Sequence, residues 1–210
     1  MKIPRIVFLS TGSFFSLQVA TELLKKNILP VAFALPGHPS APHSSDTFAI
    51  LQDEIFRQFH QLIKANSVPI LYARKNNDTY LLPQLNELNL DYLLVACWPD
   101  KLSMKIISCS RDASLNIHPS MLPKFRGTNP ISEQLATEDK KFGVSLHLLN
   151  DRLDEGEIVL QQQVKVSAGA DRIEIEKATA LAGVNLFARA INNFGTENWR
   201  PIKQNQIDAS

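Results

Sequence analysis

Six consecutive residues, Tyr92-Leu93-Leu94-Val95-Ala96-Cys97, run without a polar interruption. A strand with one wet face alternates apolar and polar side chains. One that is apolar throughout has to be covered on both faces, which is the condition of a parallel sheet sandwiched by helices. Ile6-Val7-Phe8-Leu9 and Val31-Ala32-Phe33-Ala34-Leu35 show the same pattern, and each is stopped by turn residues, Ser10-Thr11-Gly12-Ser13 and Pro36-Gly37. Between them Phe14, Leu17, Val19, Ala20 and Leu23-Leu24 recur at helical spacing. Strand, glycine turn, helix and strand in succession predict an α/β, Rossmann-like, mainly parallel twisted sheet with helices on both faces.

The rest of the chain continues the alternation. Residues 50–65 carry helical periodicity, 69–72 read as a short strand, and 79–88 as a weaker helix. Further strands are expected at 115–118, 143–149 and 158–166, with a long final helix over 171–194. Residues 37–47 hold two prolines, three serines and two histidines without a hydrophobic period, and read as a mobile surface loop. With 210 residues, 44% hydrophobic and 20% charged, the chain suits a single globular domain over 1–210. Net charge is +1, which gives no support to extensive nucleic-acid binding. The N-terminal apolar run is too short for a signal sequence or membrane span. Cys97 and Cys109 lack metal-ligand spacing and suit free thiols in a reducing cytoplasm. No metal site is expected.

In such sheets ligands bind beyond the carboxyl ends of strands, so the residues after Leu9, Ala96 and Ile117 are the places to look. Asn116 and His118 stand two apart at a strand end, which projects both side chains to one face. Pro119 and Pro123 then restrict the backbone. Taken alone, the pair reads first as a buried Asn and His satisfying each other. The stretch from Gly143 to Gln161 reads by itself as strand, acidic turn and strand, with Gly156 making the turn.

Together these two stretches resemble the folate-dependent formyltransferase family, which includes methionyl-tRNA, glycinamide ribonucleotide and sugar-nucleotide formyltransferases. Ser114 to Gly127 is similar to the family's S-L-N-x-H-x-S-L-L-P-x-x-R-G signature, with Met121 in place of a common Leu. Leu153 to Gln161 is similar to its L-D-x-G-x-I-x-x-Q signature. The resemblance implies a catalytic trio of Asn116, His118 and Asp154 and a one-carbon donor, 10-formyltetrahydrofolate. An acceptor amine attacks the formyl carbon, and negative charge develops on its oxygen. Asn116 and a protonated His118 would donate to that oxygen, while Asp154 favours the cation and helps take up the amine's proton. His118 acting as a neutral base is the alternative assignment.

The same resemblance places the pteridine against Cys97, Trp98, Lys101 and Leu102 and the loop with Leu149, Asn150 and Asp151. Trp98 to Lys101 departs from the aromatic, glycine and aliphatic pattern common there. Gly12, Ser13, Arg126, Gly127 and His147 are the candidate acceptor-side residues. Thr11-Gly12-Ser13 reads first as a plain strand-to-helix turn, although Ser13 and a helix N-terminus could face a phosphate. His147 either touches substrate or packs under the loop.

The tRNA enzymes carry a basic loop after the second strand and a basic C-terminal β-domain. Residues 37–47 contain no Lys or Arg, and the chain is expected to lack that second domain. A small amine, such as an amino sugar on a nucleotide, is therefore the expected acceptor ahead of tRNA. A truncated member, a hydrolase using water as acceptor, and a non-catalytic relative remain open. The oligomeric state is not legible.

Overall fold

The computed structural model describes residues 3–37, 54–73, 77–138 and 140–207. The loop expected at 37–47 and the start of the helix expected at 50–65 lie almost wholly outside them. The chain divides into two compact units, residues 1–114 and 115–210.

The first unit contains four parallel strands. They are β1 (Ile6–Ser10), β2 (Ala32–Pro36), β3 (Ile70–Ala73) and β4 (Tyr92–Ala96), in the order β3-β2-β1-β4. Every residue of β1 and β4 is buried, as their uninterrupted apolar character requires. Helix α1 (Phe14–Lys25) starts where the Ser13 hydroxyl accepts from Ser16 N, and buries Phe15, Leu17, Val19, Ala20 and Leu23. Helix α2 (Glu54–Ala65) turns Phe56, Phe59 and Ile63 inward, and Phe33 meets both Phe8 and Phe59 edge to face at 5.7 and 5.6 Å. Helix α3 (Asn77–Glu87) and a single-turn helix α4 (Met104–Ile107) complete the unit. The chain runs outward from β1 to β3, then returns to the other side of β1 as β4. The switch in direction thus lies between β1 and β4, where Ser10 pairs with Ala96. At such a switch helices leave on opposite sides and a crevice opens, so Gly12, Ser13, Cys97 and Trp98 all emerge at the unit's natural ligand position.

The boundary between the units falls within β5 (Ala113–His118). The second unit is antiparallel: β5 pairs with β6 (Gly143–Leu148), and β6 with β7 (Ile158–Gln163). Helix α5 (Pro130–Ala136) and the long helix α6 (Arg172–Asn193) accompany these strands, and Ile131, Phe142 and Ile175 form a core cluster. The α6 N-cap is Asp171, whose carboxylate accepts from Glu174 N at 2.8 Å. Gly183 lets α6 approach the strands closely, since a Cβ there would lie 2.4 Å from Ile117 Cγ2 and 3.2 Å from Val144 Cγ2. After α6 the chain returns to bridge Ile202 against Ile158, then forms a short 3-10 turn, Gln204–Gln206.

Seven described strands interleaved with helices give the α/β, Rossmann-like class expected. The strand and helix positions follow the sequence closely, except that α4 and α5 carry no periodic signal of their own. Among the described residues no helix is long and apolar enough to cross a membrane.

Candidate active site

The second unit brings Asn116, His118 and Asp154 together. The register of β5 and β6 sets Asn116 opposite His147 and His118 opposite Ser145. Facing residues of an antiparallel pair place their side chains side by side, so His147 joins the cluster through pairing alone. Its Nδ1 lies 2.9 Å from Leu148 O, a carbonyl that can only accept, so the hydrogen of a neutral ring resides on Nδ1. Nε2 is then an acceptor for the Asn116 Nδ2 amide at 3.1 Å. The other Asn116 amide hydrogen goes to Asp154 Oδ1 at 3.2 Å. The reverse amide orientation would set a carbonyl oxygen against a carboxylate. Asn116 therefore spans His147 and Asp154, with both its donors engaged.

Asp154 is reached through a backbone in the left-handed region, φ 53°. This is a conformation Asp tolerates better than most residues. Its Oδ2 accepts from Gly127 N at 3.0 Å and lies 3.6 Å from His118 Nδ1. Gly127, at φ 105°, supplies that N–H from a conformation that favours glycine. Gly156 does more than make a turn: a Cβ there would stand 1.7 Å from Leu148 O, so the loop can return against β6 only with hydrogen at this position.

His118 is 4% exposed. Its Nε2 donates to Phe125 O at 2.8 Å. Phe125 itself has φ 55°, an uncommon choice for a bulky residue, and presents this carbonyl. Behind the pair, Ser145 Oγ donates to Ser120 O at 2.6 Å and accepts from Leu122 N at 3.0 Å. Gln161 Nε2 donates to Leu122 O at 2.7 Å and to Ser145 Oγ at 2.8 Å. The segment after His118 is thus fixed by these bonds as well as by its prolines.

Burial is the largest influence on His118 and lowers its pKa, outweighing the opposing pull of Asp154 and of the bond to Phe125. The resting imidazole is neutral at neutral pH, so the surroundings do not favour the cationic resting state expected for His118. For Asp154, burial alone would raise the carboxyl. The contact with His147, the charge of His118 and the Gly127 N–H together overcome it and hold the group below the usual carboxylate range. A buried carboxylate beside a neutral imidazole can stabilise that imidazole when it gains a proton.

His147 is 1% exposed, with both ring nitrogens committed inside the cluster, so it lies beneath the pair and not open to solvent. Arg126 donates through Nε and Nη2 to Gln204 Oε1 at 3.1 and 2.6 Å. Gln204, a residue carrying no sequence signal, in turn donates to Asp154 O and Gly156 O. Leu149 and Asn150 are half-buried and Asp151 is exposed on the loop leading to Asp154.

In the first unit Gly12 has φ 75°, and a Cβ there would meet the Phe56 ring at 2.6 Å, so this glycine is required by packing as well as by the turn. Cys97 is exposed and left-handed at φ 57°, Lys101 is exposed and Leu102 buried. The Trp98 indole Nε1 is buried without a hydrogen-bond partner. Burial pushes the Cys109 thiol up to about 11, which suits an inert side chain. Among the described residues no His, Cys, Asp and Glu group is arranged to hold a metal.

Fold and cluster together define an α/β protein in which an amide and an imidazole at the end of β5 meet a carboxylate from the loop between β6 and β7. The sequence model of the formyl transferase family matches residues 4–191, and the chain belongs to that family. It is similar to methionyl-tRNA formyltransferase of Ehrlichia canis, with 28% identity over 151 residues, 72% of this chain and 49% of that protein. It is also similar to the methionyl-tRNA formyltransferase of Clostridium acetobutylicum, with 26% identity over 203 residues, 96% of this chain and 63% of that protein. The chain thus spans about half the length of the first relative and 63% of the second. Its fold matches glycinamide ribonucleotide transformylase 1 from Symbiobacterium toebii, with a TM-score of 0.69, 21% identity and coverage of 96% and 94% of the two chains. It also matches a sugar N-formyltransferase from Shewanella sp FDAARGOS_354, with a TM-score of 0.63, 13% identity and coverage of 96% and 73%.

Proposed function

We propose that the chain is an N-formyltransferase that moves a formyl group from 10-formyltetrahydrofolate to a primary amine on a small acceptor, foremost an amino sugar carried on a nucleotide. The observation that carries this reading is the convergence of Asn116, His118 and Asp154 in one buried cluster of a chain belonging to the formyl transferase family.

The folate derivative supplies a formyl carbon activated towards amines. By the family resemblance, Cys97, Trp98, Lys101, Leu102, Leu149, Asn150 and Asp151 are the residues proposed to hold it. The buried Trp98 Nε1, lacking a partner, suits a ligand that presents ring acceptors. His118, neutral at rest, takes the proton lost by the attacking amine at Nδ1, where Asp154 Oδ2 lies 3.6 Å away and its charge stabilises the imidazolium. That proton then goes to the folate nitrogen, which leaves as tetrahydrofolate when its bond to the formyl carbon breaks. The neutral-base assignment is thereby favoured over a resting cation. Asn116 is the proposed oxyanion donor. It exchanges its 3.2 Å bond to Asp154 for one to the developing oxygen, while His147 keeps hold of the other amide hydrogen. His147 is on this account a positioning residue. Gly12, Ser13, Arg126 and Gly127 remain the proposed acceptor-side groups.

A small acceptor is supported by the net charge of +1 and by the absence of Lys and Arg from residues 37–47. Methionyl-tRNA is the second reading, supported by the relatives from Ehrlichia canis and Clostridium acetobutylicum. The test is to incubate the protein with 10-formyltetrahydrofolate and each acceptor and to follow tetrahydrofolate release at rising salt. The expected result is faster turnover of an amino sugar nucleotide than of methionyl-tRNA, with weak dependence on salt. Efficient use of methionyl-tRNA, with affinity falling on the order of 10³-fold between about 50 and about 200 mM salt, would show that the acceptor has been misassigned.

A further inference from the structure

We infer that Gln204 is a positioning residue for this site, holding the Asp154 carboxylate in place from a segment 50 residues further along the chain. The inference rests on the catalytic reading given above for Asp154. Gln204 is 5% exposed, and its amide is fully used. Nε2 donates to Asp154 O at 2.7 Å and to Gly156 O at 2.9 Å, and Oε1 accepts from Arg126 Nε at 3.1 Å and Nη2 at 2.6 Å. Reversing the amide would face its oxygen to two carbonyls and its NH2 to a guanidinium, so the orientation is fixed by all four contacts at once.

These contacts grip the carboxylate from two sides. Asp154 and Gly156 are the two buried residues of the stretch 149–157, and both of their carbonyls are held by Gln204. Arg126 is held by the same amide, and the residue after it, Gly127, donates its N–H to Asp154 Oδ2 at 3.0 Å. The loop needs such bracing because Asp154 sits at φ 53°, outside the regular helical and extended conformations. Gln204 is itself anchored, since Ile158 N donates to Ile202 O at 2.8 Å and Ile202 N to Ile158 O at 2.9 Å. The C-terminal segment thus acts as a strap across the loop that carries the carboxylate.

Gln204→Met keeps the side chain's length and removes every polar contact. A displacement of a catalytic group by about 1 Å lowers turnover on the order of 10²-fold, so kcat is expected to fall by about that factor while KM changes by less than about twofold. In the ligand-free variant the Asp154 carboxyl, followed by 13C NMR, is expected to titrate at higher pH than in the wild type, as its contacts with His147, His118 and Gly127 lengthen. Asn205→Ala, at an exposed neighbour, is the control expected to change neither reading. Arg126→Met provides the same NMR test through an exposed side chain should Gln204→Met fail to fold. A folded variant of either kind with the wild-type Asp154 titration overturns the inference, as does Gln204→Met with wild-type kcat. If the wild type transfers no formyl group to any amine, the proposed function fails, and the ligand-free Asp154 titration still decides the positioning role.

Discussion

His118 and Asp154 make the site sensitive to acid in a defined way. The folded-state pKa of His118 lies below its ordinary 6.5, so the unfolded chain binds that proton first as pH falls. The stability linked to the neutral imidazole is fully present above 6.5 and is lost as pH drops from there through the folded value. Asp154, held below 3.8, adds a second loss at still lower pH. Replacing His118 by Gln removes the first contribution. Denaturant unfolding is expected to show the wild type losing more stability than His118→Gln between about pH 7.5 and about pH 5.5; equal losses would contradict a buried neutral imidazole. Activity is expected to be flat at neutral pH and to fall on the acid side with a midpoint below 6.5. Asn116, His118 and Asp154 were legible in the sequence because their two segments match family signatures. The engagement of His147 with Asn116 depends on strand register, and that of Gln204 on a return of the chain 50 residues after Asp154, so neither could be read from spacing.

At the scale of elements, the site depends on how closely α6 approaches β5 and β6. Ala normally suits a helix interior better than Gly by about 1 kcal/mol. At position 183, however, the added methyl would press on Ile117, which lies between Asn116 and His118 on β5. Overpacking costs about 1 to 3 kcal/mol, so Gly183→Ala is expected to lower stability by about 1 to 2 kcal/mol in denaturant unfolding. A stabilised variant would show that the helix has room to move. Strands β1, β2 and β4 of the first unit were readable because burial on both faces leaves an uninterrupted apolar run. The antiparallel direction of β5, β6 and β7 was not, since a strand's own residues carry no mark of the direction in which its neighbour runs. Helices α4 and α5, four and seven residues long, are too short to show a helical period; their local signals are the Ser103 cap of α4, accepting from Ile106 N, and Pro130 in the first turn of α5.

For the whole molecule, the family model matches residues 4–191 and the fold is shared with formyltransferases of known structure; the transfer reaction and its acceptor are the proposals built on them. Both compact units carry proposed binding residues, the first at the carboxyl ends of β1 and β4 and the second around Asp154. The near balance of 22 basic and 21 acidic residues is an argument about partners and not about fold. The central claim is that the buried Asn116–His118–Asp154 cluster carries out formyl transfer, and its most direct test removes one charge without changing shape. Formyl transfer from 10-formyltetrahydrofolate to the best acceptor should be compared for the wild type and Asp154→Asn, alongside thermal unfolding of both. The account predicts a rate lower by on the order of 10²-fold or more, with the fold retained, because the proton taken up by His118 loses the charge that stabilises it. A folded Asp154→Asn protein that transfers formyl groups at close to the wild-type rate would contradict it.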